Sequence, residues 1–111
     1  MTVAVAVNIY RQLGGDRFKV MTGASEFIGD NNTLEMKLPK NRSGANRLYI
    51  TLNADDTYTM CFYKYTPVKF DMETFEIIRE SKREIIKTID GVYADMLREI
   101  FEGVTGMYTM L

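Results

Sequence analysis

Apolar residues recur at helical spacing near the C-terminal end of the chain, and this pattern predicts a long helix from Asp90 to Gly106. Its apolar stripe consists of Val92, Tyr93, Met96, Leu97, Ile100, Phe101 and Val104. Its opposite face carries Asp95, Arg98, Glu99 and Glu102. Asp90 can cap the start of the helix, and Gly106 can adopt the left-handed conformation that ends it. Because such a stripe is not stable in water alone, we expect the rest of the chain to cover it.

A second helical pattern spans residues 2–13 at the other end of the chain. Its apolar face carries Val3, Val7, Tyr10 and Leu13. Thr2 is available as a cap, and the pair Gly14-Gly15 can stop the helix. Because β-branched valines lower helix propensity, a strand remains an alternative for residues 2–7, but the whole pattern favours a helix.

Alternating apolar and polar residues predict strands in the middle of the chain. The alternating runs are residues 17–21, with Phe18 and Val20 inward; residues 33–38, with Leu34, Met36 and Leu38 inward; residues 47–52; and residues 57–65. The last two runs flank a turn at residues 53–56 and predict a β-hairpin, and residues 26–28 form a shorter extended piece. Residues 69–87 fit either strands or a short helix, and we favour a strand for Glu84 to Ile89.

These elements together predict one α+β domain over residues 1–111, in which an antiparallel sheet of several short strands is covered by an N-terminal and a C-terminal helix in two layers. The composition, 46% hydrophobic and 26% charged, is that of a globular protein. No apolar run approaches the roughly 20 residues that cross a bilayer, and the N-terminal segment lacks the basic start of a secretory signal. We therefore expect a cytoplasmic protein without a membrane partner.

Few residues of the chain are suited to catalysis. There is no His, and Cys61 is the only Cys, which excludes an internal disulfide and a Cys–His or Ser–His nucleophile pair. Two acidic pairs remain, Asp55-Asp56 at the predicted turn and Asp95 with Glu99 one helical turn apart. Turn formation and a solvated helix face explain them better than a metal or acid–base site does. We therefore predict no catalytic residues, no metal and no cofactor.

A basic and aromatic cluster indicates a surface for nucleic acid. It consists of Lys40, Arg42, Arg47, Tyr49, Tyr63 and Lys64. Aromatic faces that stack on bases, beside cations that contact phosphates, are what single-strand binding needs. A sequence pI of 5.4 is low for a nucleic-acid-binding domain, so a solvated basic loop remains the alternative.

A methionine-rich tail follows the predicted C-terminal helix. Its apolar residues are Met107, Tyr108, Met110 and Leu111. They either pack back on the core or form an adaptable surface for a protein partner. Three other methionines are expected in the core: Met36, Met60 and Met96. Cys61 is expected to be a buried or half-buried, unreactive thiol.

Three segments of the chain are distinctive: QLGGDRFKVMTGA at residues 12–24, LYITLNADDTYTMCF at residues 48–62 and VYADMLREIFEGVTGMYTML at residues 92–111. Together they resemble a group of small uncharacterised proteins from bacteriophages, prophages and other bacterial mobile elements. That group usually has a Lys and then Asn or Asp after the Thr-Gly-Ala, where this chain has Ser25 and Glu26. The resemblance implies a bacterial host cell, an accessory role and no catalytic residues.

The sequence therefore predicts a non-enzymatic accessory protein of a bacteriophage or mobile element. We expect it to bind a host or element protein, with defence or replication as the modulated process, and a homo-oligomer is compatible with this role. The alternative function is a nucleic-acid-binding module that uses the basic and aromatic cluster.

Overall fold

The computed structural model describes residues 4–109. The helices are α1 (Ala4–Leu13), α2 (Asp16–Thr22) and α3 (Leu97–Thr105), and a 3-10 turn at Ala94–Met96 precedes the last of them. The strands are β1 (Ser25–Gly29), β2 (Thr33–Lys37), β3 (Arg47–Leu52), β4 (Tyr58–Thr66), β5 (Lys69–Phe70), β6 (Ile77–Arg79) and β7 (Lys82–Val92).

Five of the strands form one antiparallel sheet in the order β1-β2-β3-β4-β7, and β5 and β6 pair with each other. The predicted hairpin is β3 and β4, which pair from Arg47 opposite Tyr63 to Leu52 opposite Tyr58. The buried side chains of α1, α2 and α3 belong to one core with the inward residues of the sheet. The predicted α+β fold, an antiparallel sheet covered by an N-terminal and a C-terminal helix, is therefore confirmed.

Aromatic side chains join the helices to the sheet. Phe101 of α3 meets Phe18 of α2 edge to face, with ring centroids 4.9 Å apart, and lies 6.4 Å from the ring of Phe62 in β4. All three rings are fully buried, and so are Met36 and Met60, as predicted. Because each such aromatic pair adds about 0.5–1.5 kcal/mol beyond its buried area, this cluster fixes α3 on the core.

The strand predicted for residues 17–21 is wrong, because Asp16–Thr22 forms helix α2. Gly15 precedes this helix with φ 63, a conformation that glycine adopts readily, so the chain starts a second helix directly after α1. Phe18 and Thr22, one helical turn apart, are both buried, whereas Val20 is 81% exposed. An alternation of a few residues is too short to distinguish a strand from a single turn of helix against the core.

The C-terminal helix begins later than predicted. Residues up to Val92 belong to β7, where Val92 pairs with Tyr58, and α3 begins only at Leu97. The Asp90 carboxylate does not cap a helix, because it accepts a hydrogen bond from Oγ1 of Thr59 at 2.8 Å. β-Branched residues in β7 favour the extended conformation, and this preference overrides the helical pattern that continues through them.

The predicted apolar stripe is shorter for the same reason. Leu97 and Phe101 are fully buried, but Tyr93 and Met96 are exposed, so Met96 does not belong to the core as predicted. Both residues precede α3, where the helical period does not apply. Gly106 ends the helix as predicted, with φ 75 and its N–H donating to a carbonyl one turn earlier.

Residues 4–13 form a helix as predicted, with Leu13 buried and Tyr10 packed against the core, but the rest of its buried face differs from the prediction. Ala6, Ile9 and Leu13 face the core, whereas Val7 is exposed. The small side chain of Ala6 lets α1 lie close to the sheet, where packing is dense. Thr2 and Val3 lie outside the described residues.

The segment 69–87 is extended in β5, β6 and β7, and this confirms the strand predicted for Glu84 to Ile89. The turn predicted at residues 53–56 is also confirmed. There the Asp55 carboxylate accepts hydrogen bonds from the backbone N–H and hydroxyl of Thr57, and Asp56 has φ 66. These bonds hold the pKa of the Asp55 carboxyl below its usual value, which is typical of a carboxylate that completes a turn.

Candidate protein-binding surface

An extended segment, residues 67–87, here called the arm, carries the largest group of exposed apolar side chains. Within it β5 and β6 pair with each other, whereas residues 82–87 pair with β4 in the main sheet. The arm contains β5, β6 and the first half of β7, and within it Asp71 alone is partly buried. The exposed apolar residues of the arm are Val68, Phe70, Met72, Phe75, Ile77, Ile78, Ile85 and Ile86. Met72 at 80% and Phe75 at 75% are nearly as exposed as in an unfolded chain, so two apolar side chains are uncovered at the tip of the arm, beside the acidic Asp71, Glu73 and Glu76.

The tip of the arm is a turn organised by Asp71. Its carboxylate accepts a hydrogen bond from the Glu73 N–H at 2.8 Å, and its backbone N–H donates to the Glu76 carbonyl at 2.8 Å. Its carbonyl accepts from the Phe75 N–H at 2.7 Å. Phe75 has φ 60, which is unfavourable for a bulky residue and turns its ring towards solvent at the end of the arm.

The base of the arm continues the main sheet. β4 and β7 pair from Tyr58 opposite Val92 to Thr66 opposite Lys82, with two irregularities in the register. Pro67 ends β4, and its carbonyl accepts a hydrogen bond from the Arg79 guanidinium at 3.2 Å. The overall dimensions are 50 × 33 × 23 Å. The radius of gyration of 15.3 Å exceeds the roughly 13 Å of a compact domain of this size, as a projecting arm requires.

The charges of the arm balance. Residues 67–87 contain five basic and five acidic side chains: Lys69, Arg79, Lys82, Arg83, Lys87, Asp71, Glu73, Glu76, Glu80 and Glu84. The charge of the arm as a whole is therefore zero. The acids predominate at the tip, in residues 71–76, and the bases predominate in residues 79–87.

The six residues of the predicted nucleic-acid surface lie in three separate places. Lys40 and Lys64 line a cavity of about 390 Å³ beside the loop 39–46. The Arg42 guanidinium donates to the Gly103 carbonyl at 2.6 Å, at the last turn of α3. Arg47, Tyr49 and Tyr63 lie on the face of the sheet opposite the helices, because their neighbours along the strands belong to the core that the helices cover. The side chains of this third group contact other side chains of the protein, unlike those of a free binding site.

Tyr63 is the centre of that outer sheet face. Its hydroxyl donates to the Glu35 carboxylate, the Arg83 guanidinium lies 4.5 Å above its ring, and its ring centroid is 5.7 Å from that of Tyr49. Burial and, second, the bond to Glu35 raise the pKa of Tyr63 to about 12. The Arg47 guanidinium contacts the Glu26 carboxylate at 3.4 Å. The three predicted residues on this face, Arg47, Tyr49 and Tyr63, are therefore in contact with each other or with acids.

The C-terminal tail is partly folded back on the domain. Met107 packs against the core, and Thr109 is buried with its N–H and hydroxyl donating to the Glu102 carboxylate at 2.8 and 3.1 Å. Tyr108 is exposed, and Met110 and Leu111 lie outside the described residues. In the described part of the predicted protein-binding tail, Tyr108 alone is available to a partner.

The acidic residues of α3 line a small polar cavity of about 270 Å³, which contains Asp95, Arg98, Glu99, Glu102 and Thr109. Within residues 4–109, no three His, Cys, Asp or Glu side chains are grouped to hold a metal ion. The same part of the chain contains no helix long and apolar enough to cross a membrane. Cys61 is buried as predicted, and Oγ1 of Thr88 lies 3.8 Å from its sulfur.

An open apolar groove of about 310 Å³ lies between α1 and the first two strands, where Tyr10 and Phe27 meet edge to face with centroids 5.1 Å apart. Tyr10 is fixed by a hydrogen bond from its hydroxyl to Asp16 at 2.9 Å. The groove exposes far fewer apolar side chains than the arm does.

Comparison with protein-family models, with curated proteins and with solved structures finds no match to this chain. The resemblance to phage and mobile-element proteins therefore stays a prediction. The arm was missed as a site, although one signal pointed to it. Residues 69–87 combine apolar pairs with dense charge and follow neither a helical nor a strand period cleanly.

Proposed function

We propose that this protein works by binding another protein chain through its arm, as a non-enzymatic accessory protein of a bacteriophage or mobile element. The bound chain is a host protein or one that the element encodes, and defence or replication is the process affected. The observation that carries the proposal is the set of eight exposed apolar side chains between Val68 and Ile86.

The size of this apolar surface supports the proposal. The exposed fractions of the eight side chains correspond to roughly 800 Å², taking about 200 Å² for each large side chain. Monomeric proteins rarely expose an apolar patch above roughly 300–600 Å², whereas a standard protein interface buries about 800 Å² on each partner. Because adjacent residues of a strand point to opposite faces, as Ile77 and Ile78 do in β6, this total is divided between two faces of the arm. Polar side chains would therefore supply part of any interface formed through one face.

The construction of the arm supports the same conclusion. A two-stranded ribbon alone in water is marginally stable, because no third layer covers its apolar side chains. In the arm, β5 and β6 contain only exposed residues. A partner that covers the ribbon stabilises it by mass action, and this gives the exposed side chains a physical role.

Nucleic acid has weaker support as a partner. The six predicted contact residues lie in three places, and Arg42, Arg47 and Tyr63 are already hydrogen-bonded or ion-paired within the chain. Single-strand binding needs cations and aromatic faces along one continuous groove. We therefore prefer a protein partner.

Photo-crosslinking in bacterial cells tests the proposal. A benzophenone amino acid replaces Phe75 at the tip of the arm in one variant, and Val20 of α2, which is 81% exposed, in the matched control. We expect a discrete crosslinked product with another protein chain from position 75 and none from position 20. Equal labelling from the two positions, or no product from position 75, would refute the role of the arm.

A further inference from the structure

We infer that the apolar groove beside α1 binds an extended peptide segment of another protein, which adds a strand to the open edge of β1. One apolar side chain of that segment enters the groove, and a carboxylate near it contacts Lys19. The groove is separate from the arm, so the inference goes beyond the proposed function. Three observations carry it: the open edge of β1, the lining of the groove along that edge, and the charge at the groove.

The first observation is that β1 is an edge strand of the main sheet. β2 pairs with one side of it, and no other strand of the described residues pairs with the opposite side. At the end of β1 the Asp30 N–H donates to the Thr33 carbonyl at 2.9 Å, and Ile28, two residues earlier, also pairs towards β2. Backbone groups alternate in direction along an antiparallel strand, so the N–H and carbonyl of Gly29 are directed to the open edge. Such an edge is a template for another extended chain.

A bulge limits the length of chain that this edge can pair. The register shifts between Ser25 and Ile28, and Glu26 has φ 52 within that interval. Because a bulge interrupts regular pairing, the bound segment is short and pairs around Gly29, at the end of the strand.

The second observation is that the lining of the groove fits the side chains of such a segment. Gly29 lies on the same face of β1 as Phe27, which packs against the core, but it fills no space there. A strand paired with β1 places every second side chain on that face, where the groove receives it. The apolar lining of the groove comes from α1, β1 and β2: Ala6, Val7, Tyr10, Phe27, Gly29 and Leu34.

The β1 strand of a second copy fits this groove less well than a segment of different sequence does. On the groove face its side chains are Phe27, already in edge-to-face contact with Tyr10 of its own chain, and Gly29, which has none. A second copy would also bring another Lys19 to the site. The occupant is therefore a segment that supplies its own apolar side chain.

The third observation is the charge at the groove. Lys19 of α2 is the one charged residue in the lining, within the part of the chain that the structure describes. Among residues 4–109, no carboxylate pairs with its ammonium group, and Asp16 of the same helix accepts the hydrogen bond of the Tyr10 hydroxyl. A carboxylate near the apolar residue of the bound segment complements this charge.

An array of six-residue peptides, probed with the purified full chain, tests the inference. In each peptide a central Ala, Val, Leu or Phe is surrounded by Thr, and one other position carries Asp, Asn or Lys. We expect the best peptide with Leu or Phe to bind at least about tenfold more tightly than its Ala counterpart. We expect Asp to bind about two- to fivefold more tightly than Asn at low salt. Peptides with a free or an amidated C-terminus show whether a terminal carboxylate serves equally well.

Substitutions in the protein assign the binding to the groove. Val7→Asp places a charge in the apolar lining and should weaken the best peptide at least about tenfold, whereas Val20→Asp on the exposed face of α2 should not. Lys19→Gln should remove the preference for Asp over Asn and keep the preference for Leu over Ala. Phe75→Lys in the arm should leave peptide binding unchanged, which separates this site from the proposed function.

Methylation of single backbone nitrogens in the best peptide tests strand addition on the wild-type protein. Every second methyl group should abolish binding, because alternate N–H groups bond to β1, and the others should be tolerated. Loss of this alternation, or an array in which Leu and Phe bind no better than Ala, would overturn the inference. A wild-type dimer in sedimentation velocity that Val7→Asp dissociates would assign the groove to a second copy and refute the peptide as its occupant.

Discussion

Replacing Arg42 by alanine separates two roles for this side chain, contact with nucleic acid and stabilisation of α3. Its guanidinium donates to the Gly103 carbonyl at 2.6 Å, and its backbone N–H donates to the Thr105 carbonyl at 3.2 Å. Both acceptors lie in the last turn of the helix, where carbonyls have no partner within the helix and a positive charge is favourable. The substitution removes the side-chain bond and the charge and keeps the backbone bond.

The expected loss of stability follows from the lost side-chain hydrogen bond and the lost positive charge. A hydrogen bond from a charged donor contributes about 1.5–3 kcal/mol when buried, and exposure reduces this value. A cation at an exposed helix C-terminus adds about 0.3–1 kcal/mol. We expect Arg42→Ala to lower the free energy of unfolding by about 1–1.5 kcal/mol, which corresponds to a decrease in Tm of roughly 4–8 °C.

Urea denaturation and oligonucleotide binding of the same variants decide between the roles. Lys40→Ala is the matched control, because Lys40 is an exposed cation two residues away and its loss should change stability by less than about 0.5 kcal/mol. Arg42→Lys keeps the charge without the forked donor and should restore part of the loss. If Arg42→Ala and Lys40→Ala have equal stability and weaken oligonucleotide binding equally and in a salt-dependent way, the structural role is refuted.

Two further predictions concern glycine and tyrosine positions. Gly106→Ala should lower the free energy of unfolding by about 1 kcal/mol, because φ is 75 at this position and the added Cβ would lie 3.4 Å from the Arg42 guanidinium. Gly103→Ala, where the added Cβ meets open space, should raise it by about 0.5 kcal/mol. Urea denaturation measures both changes. Tyr63 should lose its proton near pH 12 in an absorbance titration, and because the unfolded tyrosine does so near 10.0, stability should fall as pH rises between these values. Glu35→Gln should lower the pKa of Tyr63 and so narrow the pH interval over which stability falls. An unchanged titration of Tyr63 would contradict the role of the hydrogen bond to Glu35 in raising this pKa.

Strict alternation made the centre of the fold predictable. Residues 33–38, 47–52 and 58–62 place every second side chain against the core, as in Leu34, Met36, Leu48 and Ile50, and one face of these strands is buried. A shift of the strand register by one residue would expose all of these side chains, so the pattern allows only one register. Helix α2 was not predicted because, of the alternating residues 17–21, Phe18 alone reaches the core. One buried residue within so short a run fits a strand as well as a helix.

The sequence already indicated that the residues of the predicted nucleic-acid surface do not all lie on one face. Neighbours in a strand point to opposite faces, so Tyr63 and Lys64 cannot share one surface within β4. The contact of Arg42 with the C-terminal end of α3 could not be predicted from the sequence pattern. It depends on the loop 39–46 meeting α3 about 60 residues later, and no local pattern encodes that contact.

The arm shows why the rules of periodicity fail for apolar residues that lie outside the core. Those rules assume that a chain buries its apolar residues in its own core, so that the period of the element sets their spacing. In the arm, Phe75, Ile77 and Ile78 have no core of their own to face, and their spacing matches neither period. If they are buried by another chain, the shape of that chain sets the spacing. Under the proposed function, dense apolar and charged residues without a clean period, after a strand that ends before Pro67, are the sequence signal of burial between chains.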